Sequence, residues 1–410
     1  MKFEKIINFV SLFSIFVIVL QPLFGMTIYY ISIFLTLGLA CLNIIKRNKI
    51  KINYYEVLMI MFIILCFISK IYAISQEAAN YGIKELALNF LLVFSILDYT
   101  QRGNESTEKK YKKILDIFSI ATTILSIYLL IFELPQVLTA RDRLGRELFA
   151  EYGTYMTISY DLIISNCYLL WKIIYKKNTK FTYIELIILI ITSVFSGTRK
   201  TLICPIIFVL IVLAYKSRRN IIKILKYLII SVFLLFISYQ VIMTNQTLYK
   251  IIGQRIERSF SNFFEAENGI SEEDASIDER NLLKKLAIAA FDEKPLLGWG
   301  INNFANYSQL NNGPFLYAHC NYLELLSSVG IIGTGIYYGG YCYIMYLALK
   351  RLKKNDIFSI FIIGFMLMNL ISDYETVSYI KIQYMLLFML CAKYLNEKKE
   401  KEEDKNEIIK

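Results

Sequence analysis

Residues 114–134 read ILDIFSIATTILSIYLLIFEL, and residues 221–243 read IIKILKYLIISVFLLFISYQVIM. Neither stretch alternates apolar with polar residues, so neither has the two-residue period of a half-buried strand. A run of about 20 apolar residues in helical form spans the ~30 Å hydrocarbon core of a bilayer. Inside that core only helices and closed barrels satisfy their own backbone polar groups, and barrel strands would alternate. These two stretches therefore decide the fold class: an all-α integral membrane protein. The rest of the chain agrees, because 56% of its 410 residues are hydrophobic, only 19% are charged, and the mean hydropathy is +0.48.

Working outward with the same pattern draws about 12 transmembrane helices, at 6–24, 26–45, 54–74, 82–98, 114–134, 152–174, 181–196, 201–215, 221–242, 320–348, 356–373 and 379–394. A net charge of +11 raises the question of nucleic-acid binding. The placement of the charge excludes it. Lysine and arginine fall into clusters at 46–51, 109–113, 172–180, 216–223 and 350–354, and alternating spans put all five on one side. The positive-inside rule makes that side cytoplasmic. The expectation is a multi-pass protein of the cytoplasmic (inner) membrane with both termini in the cytoplasm. Helices one to nine occupy 1–243, a large extracytoplasmic loop 244–318, helices ten to twelve 319–395, and a cytoplasmic tail 396–410. The apolar core after Lys5 is too long for a secretory signal, and no small-x-small site follows before Gln21 and Pro22. It reads as the first span. The seven cysteines are scattered, so neither a disulfide framework nor zinc is expected.

Three outward segments carry cations against this trend: Arg141, Arg143 and Arg146; Arg199 and Lys200 in a tight turn; and Arg255, Arg258 and Arg280 in the long loop. An outward arginine serves either an anionic ligand or salt bridges with the loop's own acids, and both readings stand. The long loop itself is expected to hold short helices. Ile251, Ile252, Ile256, Phe260, Phe263 and Phe264 have near-helical spacing, which suits a helix lying on the bilayer surface. Glu265 to Asp274 is acidic. Ser276-Ile277-Asp278-Glu279 then reads as a capping box for a helix that Pro295 stops. Gly298-Trp299-Gly300 reads as a flexible turn whose indole suits an interface or a sugar face.

His319 is the only histidine, placed where the long loop re-enters the membrane. A lone histidine is either a satisfied structural residue or a group that reacts near neutral pH. Glu324, about one turn further on, either pairs with His319 or an arginine, or is a helix-end carboxylate at the interface. Asp161, inside the sixth span, is expected to make a structural polar contact, with a pathway role as the alternative.

Taken in order, Phe195–Leu202 (FSGTRKTL), Asp278-Glu279-Arg280, Lys294–Phe304 (KPLLGWGINNF) and His319–Gly333 (HCNYLELLSSVGIIG) resemble the O-antigen polymerase and O-antigen ligase family of membrane glycosyltransferases. The resemblance covers about residues 137–350. It implies a membrane glycosyltransferase C-like fold, an undecaprenyl-diphosphate-linked glycan as donor, and neither a metal nor another cofactor. Carried onto this chain, it implies that Arg199 and Arg280 hold the diphosphate and that His319 sits near the reacting centre. Arg141 or Arg143 resembles an arginine that many polymerases carry in an earlier outer loop. The chain departs from the family pattern after the histidine, where the usual Asn is Cys320 and Asn321 comes one place later.

Physical chemistry supports the same residues. Transfer from a sugar diphosphate builds negative charge on the leaving phosphate, and guanidinium forks match phosphate oxygens. Each such contact contributes ~1.5–3 kcal/mol. No outward carboxylate cluster is spaced for a divalent cation. The candidate catalytic residues are His319 and Glu324, with His319 acting on the acceptor hydroxyl or on the diphosphate. The expected function is polymerisation of lipid-linked repeat units of a capsular, exopolysaccharide or O-antigen chain. Its partners would be the undecaprenyl-diphosphate-linked donor and acceptor and membrane lipids, with a chain-length regulator and a flippase as further candidates. One alternative is a ligase that moves a finished glycan to a lipid or protein acceptor. An alternative of another class is a flippase for the same lipid-linked sugar. A flippase would be expected to carry charges along a path within the spans and to lack a long outer loop.

Overall fold

A computed structural model describes residues 2–47, 51–98, 107–140, 144, 156–176, 178–218, 220–246, 249, 253 and 275–408. Among these residues all the long regular elements are α-helices: α1 (Lys2–Val19), α2 (Gln21–Arg47), α3 (Tyr54–Ser69), α4 (Gln76–Leu97), α5 (Thr107–Phe132), α6 (Leu134–Ala140), α7 (Met156–Ile174), α8 (Lys180–Phe195), α9 (Arg199–Lys216), α10 (Ile221–Thr244), α11 (Ala275–Glu293), α12 (Phe304–Leu310), α13 (Asn321–Leu352), α14 (Ile357–Ser372) and α15 (Ile382–Ile408). The chain forms two compact units. The first comprises Met1–Ser11, Ile33–Tyr111 and Gly269–Lys410, and the second Leu12–Ser32 and Lys112–Asn268.

Helix α3 shows why the chain belongs in a bilayer. One face, with Tyr55, Met59, Phe62 and Cys66, is no more than 2% exposed. On the opposite face Ile64, Phe67, Ile68 and Ile71 are between 52% and 80% exposed. A soluble helix would be polar on that side, so an apolar outer stripe requires lipid as its solvent. Among the described residues four helices are long and apolar enough to cross a membrane: Thr27–Lys46, Tyr54–Tyr72, Gln76–Leu97 and Glu108–Phe132. Several of the other expected spans fall on shorter or interrupted helices, whereas 221–242 falls on the 24-residue α10. α8 and α14 have 16 residues each, about 24 Å of helix. α9 contains Pro205, and α13 is broken at Gly330. The chain is an all-helical membrane protein, and the count of about twelve rests on the sequence pattern of these shorter segments.

In the first unit α13 packs on α3, α11 and α14, while α15 packs on α4. Glu56 serves two purposes there. Its carboxylate accepts the Asn53 N–H at 2.8 Å, closing the cap of α3, and its other oxygen lies 2.7 Å from the buried Lys393 ammonium. In the second unit α5 and α7 exchange polar contacts along their length. Lys172 pairs with Asp116 at 2.7 Å, and Ser165 donates to Thr122 at 3.0 Å. One turn further along each helix come Ser126 and Asp161, both fully buried and neither with a hydrogen-bond partner among the described residues. Among the described residues, the structural polar contact expected of Asp161 is not found.

The expected surface helix over 248–264 and the acidic stretch 265–274 lie outside the described residues, Tyr249 and Gly253 apart. The following helix begins at Ala275, one residue before the suggested Ser276 cap, and ends at Glu293 ahead of Pro295.

Candidate functional site

The segment leading to His319 is organised by a break in α13. Gly330 sits at φ 63°, ψ −171°, a conformation open essentially to glycine alone. A break in a helix leaves carbonyls before it and amides after it without partners. The 295–300 segment supplies them. Trp299 N–H donates to Ser327 O at 2.9 Å and Gly300 N–H to Ser328 O at 2.8 Å. In the other direction Ile331 N–H donates to Pro295 O at 2.8 Å and Ile332 N–H to Leu296 O at 3.3 Å. A Cβ on Gly330 would stand 2.3 Å from the Leu296 carbonyl, and one on Gly298 (φ +67°) 2.5 Å from Ser328. The stretch read as a flexible turn is thus a clamp.

Its tryptophan is committed as well. The Trp299 indole N–H donates to Ala290 O at 2.9 Å, and Lys294 Nζ lies 3.6 Å from the ring centroid. The ring also packs beside Tyr307, whose hydroxyl donates to Glu293 at 2.7 Å. Burial and that carboxylate push the Tyr307 phenol up to about 12, so it remains a donor. An open indole face for sugar is not what Trp299 offers. Beyond it, Asn303 accepts Ser75 N–H at 2.6 Å and fastens the loop to the start of α4.

His319 occupies the left-handed region at φ 52°. For a residue with a Cβ this costs on the order of 1–2 kcal/mol. Its neighbours hold it there. Ala318 N–H donates to the buried Glu324 carboxylate at 2.8 Å, and Asn321 N–H donates to Asp373 O at 2.7 Å. The half-buried imidazole lies against Tyr317, ring centroids 4.1 Å apart. Glu324 thus grips the backbone beside His319.

The amide after the histidine is structural. Asn321 is fully buried; its Oδ1 accepts Ser378 N–H at 2.9 Å and Tyr379 N–H at 3.1 Å. Its Nδ2 donates to Tyr338 Oη at 2.8 Å. Beside it the buried Asp373 carboxylate accepts from Tyr338 at 2.9 Å and Ser378 at 2.6 Å. This network ties the start of α13 to the turn that follows α14.

Arg280 lies in the first half of α11 and is half-buried, with no ion pair among the described residues. Helix α11 is fixed in rotation by Leu283, Ala287 and Ala290, which pack with Phe304, Tyr307 and Ala318. Ala318 directly precedes His319, so one apolar cluster positions both the arginine helix and the histidine turn.

Arg199 belongs to the second unit. It is the first residue of α9, and its side chain lies outside what is described. The turn before it is knotted by hydroxyls. Thr201 donates to Ser193 O at 3.1 Å and to Thr198 O at 2.7 Å, Ser196 donates to Ser193 O at 2.9 Å, and Ser159 and Thr198 share a bond of 3.1 Å. Arg199 and Lys200 stand at the positive end of a helix, where a cation is unfavourable by ~0.3–1 kcal/mol. Helix stability therefore gives no reason for them. Arg141 and Arg143 lie outside the described residues.

Residues 184–338 match the family model described as O-antigen ligase. The match places this segment, less than half of the chain, beside the O-antigen ligase family. Arg199, Arg280, His319 and Glu324 fall inside the segment, while Arg141 and Arg143 fall before it. No curated protein matches the chain. Members of this family are glycosyltransferase-like enzymes. Within the matched segment, the sequence reading missed Lys284, whose ammonium lies 4.1 Å from the Tyr374 ring centroid. Its signal was available, since it follows Arg280 by four residues on the same helix. Asp373, outside the segment, was hidden by its place at the end of an apolar run. The clamp itself joins two of the motifs that carried the resemblance, Lys294–Phe304 and His319–Gly333, by backbone pairing.

Proposed function

We propose that this protein transfers a glycan from an undecaprenyl-diphosphate-linked oligosaccharide at the outer face of the cytoplasmic membrane, without a metal, and so polymerises repeat units of a surface polysaccharide. The topology that goes with it has about twelve spans and both termini in the cytoplasm. The observation that carries the reading is a strained, half-buried His319 in the matched segment, directly after Ala318 in the apolar cluster that also fixes the helix bearing Arg280, which has no ion pair among the described residues. An acceptor hydroxyl attacks the anomeric carbon, the bond from that carbon to the diphosphate oxygen breaks, and His319 takes the hydroxyl proton. Arg280 stabilises the charge that grows on the departing diphosphate. Glu324 acts as a positioning residue, because it holds the amide that precedes His319.

The family's description favours a second reading of the same donor chemistry, in which a finished glycan passes to a lipid or protein acceptor. Purified chain in nanodiscs, given a synthetic undecaprenyl-diphosphate repeat unit, separates the possibilities. A ladder of lengthening products supports polymerisation. Transfer only when a separate acceptor is added supports the ligase reading. Glycan that crosses a vesicle without any new glycosidic bond would overturn transfer altogether.

A further inference from the structure

We infer that Lys284 is a second phosphate-binding cation, paired with Arg280, and that the pair gives the site its preference for a diphosphate over a single phosphate. The inference rests on the transfer reading. Lys284 follows Arg280 by four residues on α11, so the two side chains leave one face of the helix a single turn apart, with Cβ atoms ~5–6 Å from each other. The rotation of α11 is not free, because Leu283, Ala287 and Ala290 are wholly buried on the adjoining face. Lys284 is half-buried, with Nζ 4.1 Å from the Tyr374 ring centroid. Tyr374 directly follows Asp373, whose carbonyl accepts the Asn321 N–H at 2.7 Å. The ammonium therefore stands near the start of α13, where the histidine turn ends.

Among the described residues neither Arg280 nor Lys284 has an acid within ion-pairing distance. The carboxylate of Asp373, the residue before Tyr374, is occupied by Asn321, Tyr338, Asn369 and Ser378. Two neighbouring cations repel each other, and an anion that bridges them relieves that repulsion. A guanidinium fork suits two oxygens of one phosphate, and an ammonium is a point charge for the next. Two linked phosphates engage both cations, whereas one phosphate leaves the lysine unused. Tyr374 is the positioning residue that keeps Lys284 on this side of the helix.

The test uses the full chain in nanodiscs and two probes, undecaprenyl diphosphate and undecaprenyl monophosphate. Lys284→Met is expected to weaken diphosphate binding about tenfold and monophosphate binding little, which collapses the preference. Lys285→Met, on the exposed side, should bind as the parent does. Equal diphosphate affinity in Lys284→Met and the parent overturns this inference and leaves Arg280 and the transfer reading standing. A parent that binds neither probe overturns both. A second measurement needs no variant: the diphosphate probe should protect Lys284, and not Lys285, from an amine-directed label. Equal labelling of Lys284 with and without the probe refutes the pairing.

Discussion

Gly330→Ala tests the clamp on which the histidine turn depends. The substitution forces a residue with a Cβ into a glycine-only conformation, which costs ~1–3 kcal/mol. The new methyl would also stand 2.3 Å from the Leu296 carbonyl, and its nearest neighbours, Leu296 C and O and Leu297 N, are backbone atoms that cannot rotate away. Residues 295–297 must therefore retreat, which breaks the bonds from Ile331 and Ile332 and weakens those from Trp299 and Gly300. At ~0.5–1.5 kcal/mol for each bond lost, the sum is about 4 kcal/mol. Gly335→Ala is the matched control, because no atom lies within 4 Å of its Cβ position. There alanine should be neutral or stabilise by up to ~1 kcal/mol. The assay is thermal unfolding in detergent on a Trp171→Phe background, which leaves Trp299 as the only indole. Gly330→Ala should lower the midpoint and shift Trp299 emission to the red before unfolding; Gly335→Ala should do neither. Equal midpoints and equal emission in the two variants would refute the clamp.

Arg280→Ala should abolish product while the protein still inserts and unfolds at the parental temperature; normal product length would remove it from the donor site. Glu324→Ala leaves the Ala318 amide buried without an acceptor, at a cost of ~1–3 kcal/mol. Turnover should then fall more than donor affinity, and unchanged turnover would show that His319 is held by other contacts. Asp161→Leu deletes a buried carboxyl that has no hydrogen-bond partner among the described residues, so the unfolding midpoint should rise with product formation intact. A stable but inactive variant would instead place Asp161 in the reaction. Exhaustive treatment with EDTA should leave transfer rates unchanged, and recovery of lost activity by added divalent cation would contradict metal-independent chemistry.

What could be read from the sequence was what local pattern encodes. The apolar runs predict helices, and Pro295 predicts an end close to the observed Glu293. The four motifs lead to the segment that the family model matches, because residue identity alone carries that information. Failures came wherever the deciding partner was distant in the chain. Trp299 between two glycines looks locally like an exposed aromatic on a hinge. Its state is set by Ala290 and Lys294 and by carbonyls about thirty residues downstream. Asn321 looks like a displaced family amide, yet the turn after α14 consumes its side chain. Lys284 was passed over because a cation in a solvated helix is ordinary. The placement of Tyr374 separates it from its exposed neighbour Lys285.

The clamp also bears on how a left-handed His319 persists. A strained residue relaxes unless the chain on both sides is held more strongly than the strain pushes. On the near side Ala318 is buried in the α11 cluster and its amide is fixed by Glu324. On the far side Asn321 is fixed by Asp373 and the 378–379 amides. Glu324 and Asn321 both lie on the nine-residue piece of α13 that precedes Gly330. A piece that short has little stability of its own, and the Trp299 and Gly300 amides anchor it through the Ser327 and Ser328 carbonyls. The two glycines that look like points of freedom, Gly298 and Gly330, are therefore what allow the backbone to approach closely enough to remove freedom from the histidine.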